Sequence, residues 1–441
     1  TLMDGAVRAA LGSGWGGSML ATDLQDILFG TPTPVRSAAN LGVLKDDQVN
    51  IMIHGHEPLL SSMVLDAARS QEMIELARSL GATGINVAGI CCTANEALMR
   101  QGVPPAGNML HQELAVLTGA VEAMIVDVQC IFQGLVEVAN NFHTLLISTS
   151  PKARIGDSIH LTFDEERPRE AAMDIVRQAV ENYSNRGETH IPTASEPLVA
   201  GFSHEYIRYM LGGKMRASFR PLNDNIINGR IRGLAAVVGC SNPRNVQDLG
   251  VTQVVRELIA NNVLVVVTGC AAITSGKHGL LTPETMQYAG AGLAEVCETV
   301  GIPPVLHVGS CVDNSRILTI LSEVVEEGGL GDDIAGLPAV GISPEWFSEK
   351  ALEIATYAMA SGVPVLFGGV GSPVSGSETL VEYMSSGWWE RYGGLLEFHS
   401  DPADIVSRAL ELIDSARAAL KIDTTQERVL FDMDMRRELN V

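Results

Sequence analysis

Aromatic side chains make up only 5% of this 441-residue chain, and positive charge is scarce: 30 Lys plus Arg stand against 52 Asp plus Glu, for a formal charge of -22. A surface so short of cations repels phosphate backbones and anionic lipid, which argues against nucleic acid and membrane partners. Long hydrophobic runs are missing as well. The longest, such as Val263 to Thr268, are far too short for a bilayer, and no basic flank with a cleavage site opens the chain. No Cys-x-x-Cys occurs, so zinc-ribbon and ferredoxin-like spacings fail, and no internal repeat is evident. Seven cysteines, an odd number in a chain this long, do not make a secreted disulfide framework, and a reducing cytoplasm is the better home. The opening Thr1-Leu2-Met3-Asp4-Gly5 lacks an initiator methionine and runs straight into helical sequence. It is read as the continuation of a longer N-terminal region.

What is present is a hydrophobic content of 46%, rich in the aliphatic residues that build buried parallel strands. The chain is longer than one core usually serves, so two or three α/β units are expected. Residues from about 4 to 30 read as helix, a glycine-rich break and a second helix, stopped by Phe29-Gly30-Thr31-Pro32-Thr33-Pro34. Short apolar runs then alternate with helical stretches. One set comprises Val49 to Ile53, Gly84 to Ala88, Ala123 to Val126 and Leu145 to Ile147; the other comprises Leu234 to Val238, Val263 to Val267, Pro304 to Val308 and Pro364 to Phe367. The polar stretch Tyr183 to Thr189 lies between them. The expectation is α/β architecture: an N-terminal helical tail over 1–45, a first doubly wound Rossmann-like domain over 46–190 and a second over 191–441.

Ligands of open α/β sheets bind beyond the carboxyl ends of the strands, so the residues just after each run matter most. They are His54-Gly55-His56, Cys91-Cys92, Gln129-Cys130, Gly239-Cys240, Gly269-Cys270 and Ser310-Cys311. Six candidate strands thus deliver a thiol or an imidazole at one edge. A single apolar-flanked cysteine is most often an inert core residue, but core cysteines have no reason to choose strand ends. Only Cys91, beside one of these positions, and Cys297, within a helical pattern, are left over. Five thiolates with one imidazole suit an irregular metal-sulfur cluster better than a four-coordinate zinc. Pattern alone does not separate His54 from His56.

Two weaker motifs are set aside. Gly12-Ser13-Gly14-Trp15-Gly16-Gly17 matches G-x-G-x-x-G but follows a helical stretch instead of a strand, and Gly276-Lys277 is followed by His278 where a phosphate loop needs Ser or Thr.

With these segments assembled, the chain resembles the catalytic subunit of anaerobic nickel-iron-sulfur carbon monoxide dehydrogenases, most closely the type associated with acetyl-CoA synthase. The shared segments include Ile53-His54-Gly55-His56-Glu57-Pro58, Gly89-Ile90-Cys91-Cys92-Thr93-Ala94-Asn95-Glu96, Asp127-Val128-Gln129-Cys130, Val238-Gly239-Cys240-Ser241-Asn242, Val267-Thr268-Gly269-Cys270 and His307-Val308-Gly309-Ser310-Cys311-Val312-Asp313-Asn314. The resemblance implies that Cys311 ligates nickel, that His56 and Cys92 hold an outer iron, and that Cys130, Cys240 and Cys270 hold the remaining irons. It favours the second histidine and the second cysteine of their pairs, and it makes Lys350, otherwise a solvated helix charge, an active-site lysine. The implied reaction is CO + H2O to CO2 + 2H+ + 2e-, reversible, with a ferredoxin-like electron carrier, a homodimer and an acetyl-CoA synthase subunit as partners. Further 4Fe-4S clusters would come only with an N-terminal cluster-binding region, which these residues do not supply. Rival readings are a hybrid-cluster-type reductase and a truncated, non-catalytic scaffold.

Overall fold

The computed structural model describes residues 2–18 and 22–422; the expected end of the second domain, 423–441, lies outside the described residues. In chain order the strands are β1 (Val35–Ala39), β2 (Val49–His54), β3 (Ile85–Ile90), β4 (Pro105–Gly107), β5 (Val121–Val126), β6 (Leu145–Ser148) and β7 (Ile159–His160). Then follow β8 (Glu196–Ala200), β9 (Gly233–Val237), β10 (Val263–Thr268), β11 (Val305–Gly309), β12 (Ala339–Ser343), β13 (Val365–Phe367) and β14 (Leu396–Phe398). Two six-stranded parallel sheets result, in the orders β4-β3-β2-β5-β6-β7 and β11-β10-β9-β12-β13-β14. The α/β architecture with two doubly wound sheets is therefore as expected. All eight apolar runs fall on strands. Every residue of β2, β5, β11 and β12 is buried, as strands covered by helices on both faces require.

In each sheet the strand order reverses beside the first long strand, between β2 and β5 in one and between β9 and β12 in the other. A crevice opens at such a reversal, on the carboxyl side. A separate antiparallel pair, β1 with β8, joins sequence from before the first sheet to sequence that leads into the second.

The front of the chain departs from expectation. The helix Leu2–Ser18 runs unbroken through the glycines that had suggested an interruption. Packing explains this, because a Cβ on Gly14 would lie 2.4 Å from the Cβ of Tyr357. The glycine lets the first helix press against the helix Glu349–Ala360, where Val7 joins Ala355 and Met359 in a small core. The intrinsic helical cost of glycine is outweighed by close approach.

The polar stretch around residue 186 is also more than a linker. Arg186 donates to both carboxylate oxygens of Glu122, at 2.7 and 2.6 Å, and to the carbonyls of Asp46, Gln48 and Ala120. Glu122, fully buried at the start of β5, also accepts from the Asn50 main-chain N–H. Removing one member of a buried pair leaves the other uncompensated, so Arg186→Ala should cost about 3 to 5 kcal/mol of stability. Urea unfolding measures this, and a loss under about 1 kcal/mol, the scale of a surface pair, would refute the buried-pair account.

Candidate metal centre

The turns that deliver His56 and the candidate cysteines leave the carboxyl edge through positive φ angles, at Gly55, Cys91, Gln129, Cys130, Gly239, Gly269 and Gly309. Gly55 has φ +138, and a Cβ there would meet the Asp127 carboxylate at 1.8 Å, so only glycine fits between β2 and His56. Three non-glycine residues also adopt left-handed angles: Cys91 at +64, Gln129 at +60 and Cys130 at +58. Such conformations carry a cost and persist where surrounding bonds fix them.

Those bonds can be named. Asp127, just beyond β5, accepts from the main-chain N–H groups of His56 at 2.6 Å, Glu57 at 3.0 Å and its own neighbour Val128. The His56 ring Nδ1 lies 2.8 Å from the Val128 carbonyl. A carbonyl only accepts, so Nδ1 carries a proton and Nε2 is the nitrogen a metal would take, displacing the proton that the neighbouring thiolates favour on the ring. Gln112 holds the next turn, donating to the Cys130 carbonyl at 3.1 Å and accepting from Phe132 N–H at 2.9 Å.

These turns bring His56, Cys92, Cys130, Cys240, Cys270 and Cys311 onto the wall of one cavity, together with Lys350. Lys350 comes from the first turn of Glu349–Ala360, after β12. That segment is fixed from the Cys240 side, because Asn242 donates to the Trp346 carbonyl at 2.6 Å. All five cysteines and the histidine singled out by sequence are thus brought together. Cys91, left unassigned by pattern, joins them: its thiol, His56 and Cys130 offer donor atoms within 4.8 Å of one another, and its Sγ lies 3.8 Å from that of Cys270. Its neighbour Cys92 accepts from the Cys311 main-chain N–H at 3.4 Å. A cysteine pair at a helix start was the available signal, but which thiols turn inward depends on the left-handed angle at Cys91. His54 is buried beside His56 and Gln112, with no well-formed hydrogen bond to either ring nitrogen among the described residues. Burial pushes it down to about 4, so it stays neutral. Cys297 is elsewhere, in the helix Ala291–Val300 and the second sheet's core.

The electrostatics suit metal ligation. A hydrogen bond from the Cys311 thiol, with the nearby His56 and Lys350 charges assisting, holds Cys92 well below the usual thiol range. Cys130 is brought down to about 5, chiefly by a hydrogen bond from Cys91. Burial opposes charge on His56 and Lys350, but the neighbouring thiolates outweigh it and raise both. Soft sulfur donors, one imidazole whose Nε2 a metal can claim and a half-buried cation fit a metal-sulfur group, and they do not resemble a hydrated oxygen-ligand site.

Residues 1–403 match the model of the Prismane/CO dehydrogenase family. The chain is 51% identical over 419 residues to carbon monoxide dehydrogenase 1 of Methanosarcina mazei, covering 95% of this chain and 66% of that protein. A nickel-free carbon monoxide dehydrogenase structure from Thermococcus sp. AM4 superposes with a TM-score of 0.91 at 46% identity, covering 95% of this chain and 65% of that one. A structure of acetyl-CoA synthase/carbon monoxide dehydrogenase, with NiZn[Fe4S4] and NiNi[Fe4S4] clusters in its alpha subunits, gives 0.91 at 40% identity, with coverage of 95% and 63%. The chain spans just under two thirds of the length of these relatives.

The thiol ordering can be tested without metal. Thiolate is the reactive form. Anaerobic iodoacetamide labelling of metal-free protein at neutral pH, read by peptide mass mapping, should modify half-buried Cys130 first. Cys240 and Cys297, both pushed up to about 12 by burial, should be slow, as should Cys91 and Cys311, which the bonds to their neighbours drive well above the usual thiol range. Because Cys130 is already ionised above about 5, its labelling should change little between pH 6.5 and 8, roughly the range over which an ordinary thiol of pKa about 8.5 gains thiolate steeply. A rate for Cys130 that climbs tenfold per pH unit would overturn the assignment.

Proposed function

The chain belongs to the Prismane/CO dehydrogenase family, and from that footing we propose that it oxidises carbon monoxide reversibly, CO + H2O to CO2 + 2H+ + 2e-, at a nickel-iron-sulfur cluster. The observation that carries the reading is the convergence of one imidazole, the five strand-end cysteines and a half-buried lysine on a single cavity. When bound, such a cluster would supply a soft metal for CO, a Lewis acid for water and a store for two electrons.

The chain's own residues have the following roles in this proposal. Cys311 ligates the nickel. His56, through Nε2, and Cys92 hold the outer iron, while Cys130, Cys240 and Cys270 hold the remaining irons. The hydrogen bond from His56 Nδ1 to the Val128 carbonyl keeps the ring oriented and its ligating nitrogen unprotonated. Lys350 is the catalytic cation: it faces the thiol cage from a helix whose approach is fixed at Trp346, and it stabilises negative charge that grows on the substrate's oxygens. The apolar lining contributed by Ala351 and Ile354 limits the water that reaches the reacting atoms.

With Cys91 in the cage and Cys297 in a separate core, the described residues offer cysteines for one cluster. Electrons must therefore leave to another carrier, and a ferredoxin-like protein fits. A homodimer and an acetyl-CoA synthase subunit are the proposed assemblies, the second in line with the similarity to the structure of acetyl-CoA synthase/carbon monoxide dehydrogenase. Residues 46–190 and 191–441 are taken as the two folding units. All seven cysteines are unpaired, which suits a reducing cytoplasm, and among the described residues no helix is long and apolar enough to cross a membrane.

Two substitutions separate ligation from catalysis. Cys311→Ala should abolish nickel binding and CO oxidation while circular dichroism keeps its α/β signature. Lys350→Ala should retain about four irons and one nickel per chain but lose about 100-fold or more in CO oxidation, the scale for deleting a preorganised charge-stabilising group. Metal analysis and dye-linked turnover read both, and normal turnover in Lys350→Ala would refute its role.

A further inference from the structure

The helix Cys91–Gln101 begins with two thiols of the cage and, one turn later, reaches across to the other sheet. The buried Asn95 side chain donates to the Cys91 carbonyl at 3.2 Å and to the Gly269 carbonyl at 3.0 Å, and its oxygen lies 2.7 Å from His307 Nε2 on β11. Gly269 directly precedes Cys270. The next residue, Glu96, accepts from the Ser310 hydroxyl at 2.5 Å, and Ser310 directly precedes Cys311. The turn beyond β11 is also held by its own short loop, with Ser310 N–H donating to Asp313 at 2.8 Å, by the Cys311 N–H on the Cys92 sulfur and by Arg316 on Asp313. Gly269 is pinned from a second side, since a Cβ there would lie 2.6 Å from the Cys311 sulfur. Two consecutive side chains thus reach the residues before two cysteines of the opposite sheet, and both are buried.

We propose that Asn95 and Glu96 are positioning residues that place the second sheet's thiols relative to Cys91 and Cys92, Asn95 acting on Cys270 and Glu96, through Ser310, on Cys311. The two links reach different cysteines most directly, so loosening Glu96 acts first on the cysteine assigned to nickel, and loosening Asn95, which also touches His307 on β11, acts first on one assigned to iron. This metal assignment rests on the function proposed above, whereas the placement of the thiols does not.

The test therefore has two arms. In metal-free protein under anaerobic conditions, Glu96→Ala and Ser310→Ala should each raise iodoacetamide labelling of Cys311 about tenfold over the parent, the scale of one lost buried hydrogen bond, with Cys270 little changed. Asn95→Ala should do the same for Cys270. Glu96→Gln, which keeps an acceptor for Ser310, should stay within about twofold of the parent, because the neutral bond retains much of the restraint. Cys297 lies outside the cage and reports general loosening; a parallel rise there would count against the proposal. In anaerobically purified, metal-loaded protein, Glu96→Ala should lose nickel and keep its iron, whereas Asn95→Ala should lose both. Unchanged Cys311 labelling in Glu96→Ala and Ser310→Ala would overturn the proposal whatever the metal content. A parent that shows the expected thiol pattern but takes up no nickel would instead sink the functional reading alone.

Discussion

Thiols gathered in a buried cage resist one another, and the rest of the molecule is arranged to hold them there. Each thiolate that ionises makes the next harder to ionise, and burial adds to that penalty. The result is a division within the cage. Cys92 and Cys130 are held down, while Cys91 and Cys311 are driven up by the bonds they donate and Cys240 by its burial. Among the described residues lining the cavity, only His56 and Lys350 can carry positive charge against this accumulation. A bound cation group would relieve it, and this is why the same geometry that is costly when empty of charge compensation favours metal ligation.

The restraint is backbone first. Left-handed turns at Cys91 and Cys130 and the glycine at 55 aim the donors, and Asp127 fixes one of those turns with main-chain hydrogen bonds. Around this lies a shell of buried charge. Glu96 meets Arg100, Arg100 meets Asp26, and Asp26 makes a bidentate pair with Arg316, which also reaches Asp313. Three carboxylates face two guanidiniums, so the group balances if one carboxyl keeps its proton. Glu96 is that group: burial first, and then the charge of Asp313, push it up to about 8. Asp26 belongs to the short helix Leu24–Phe29, so the front of the chain is tied electrostatically to the turn that carries Cys311.

Much of this was legible in the sequence, for physical reasons. Buried parallel strands are written as unbroken apolar runs, which located β2, β3, β5, β6, β9, β10, β11 and β13. Strand-end placement likewise located Cys130, Cys240, Cys270 and Cys311, whereas the choice of His56 over His54 and of Cys92 over Cys91 came from the family resemblance. The misses have equally definite causes. β12, Ala-Val-Gly-Ile-Ser, is short and contains glycine, and β1 and β8 are half-exposed, so neither stood out from loops. The helix through Gly12 to Gly17 depends on a contact with Tyr357, far away in sequence. The inward turn of Cys91 depends on one backbone angle, and the reach of Asn95 and Glu96 depends on how two sheets face each other. Periodicity and spacing carry no information about either.

The wide spread of the donors along the chain also governs when the cage can exist. His56 follows the first long strand, and Cys311 follows β11, with most of both sheets between them. During synthesis the amino-terminal sheet can fold as soon as it emerges, but it presents only His56, Cys91, Cys92 and Cys130, and Cys240, Cys270 and Cys311 join them one by one as β9, β10 and β11 leave the ribosome. Metal delivered in that interval would meet a half-built set of thiols, open to binding in the wrong number and geometry. Loading has to wait for the finished polypeptide, and the nascent chain needs its thiols shielded from stray metal and oxidant in the meantime.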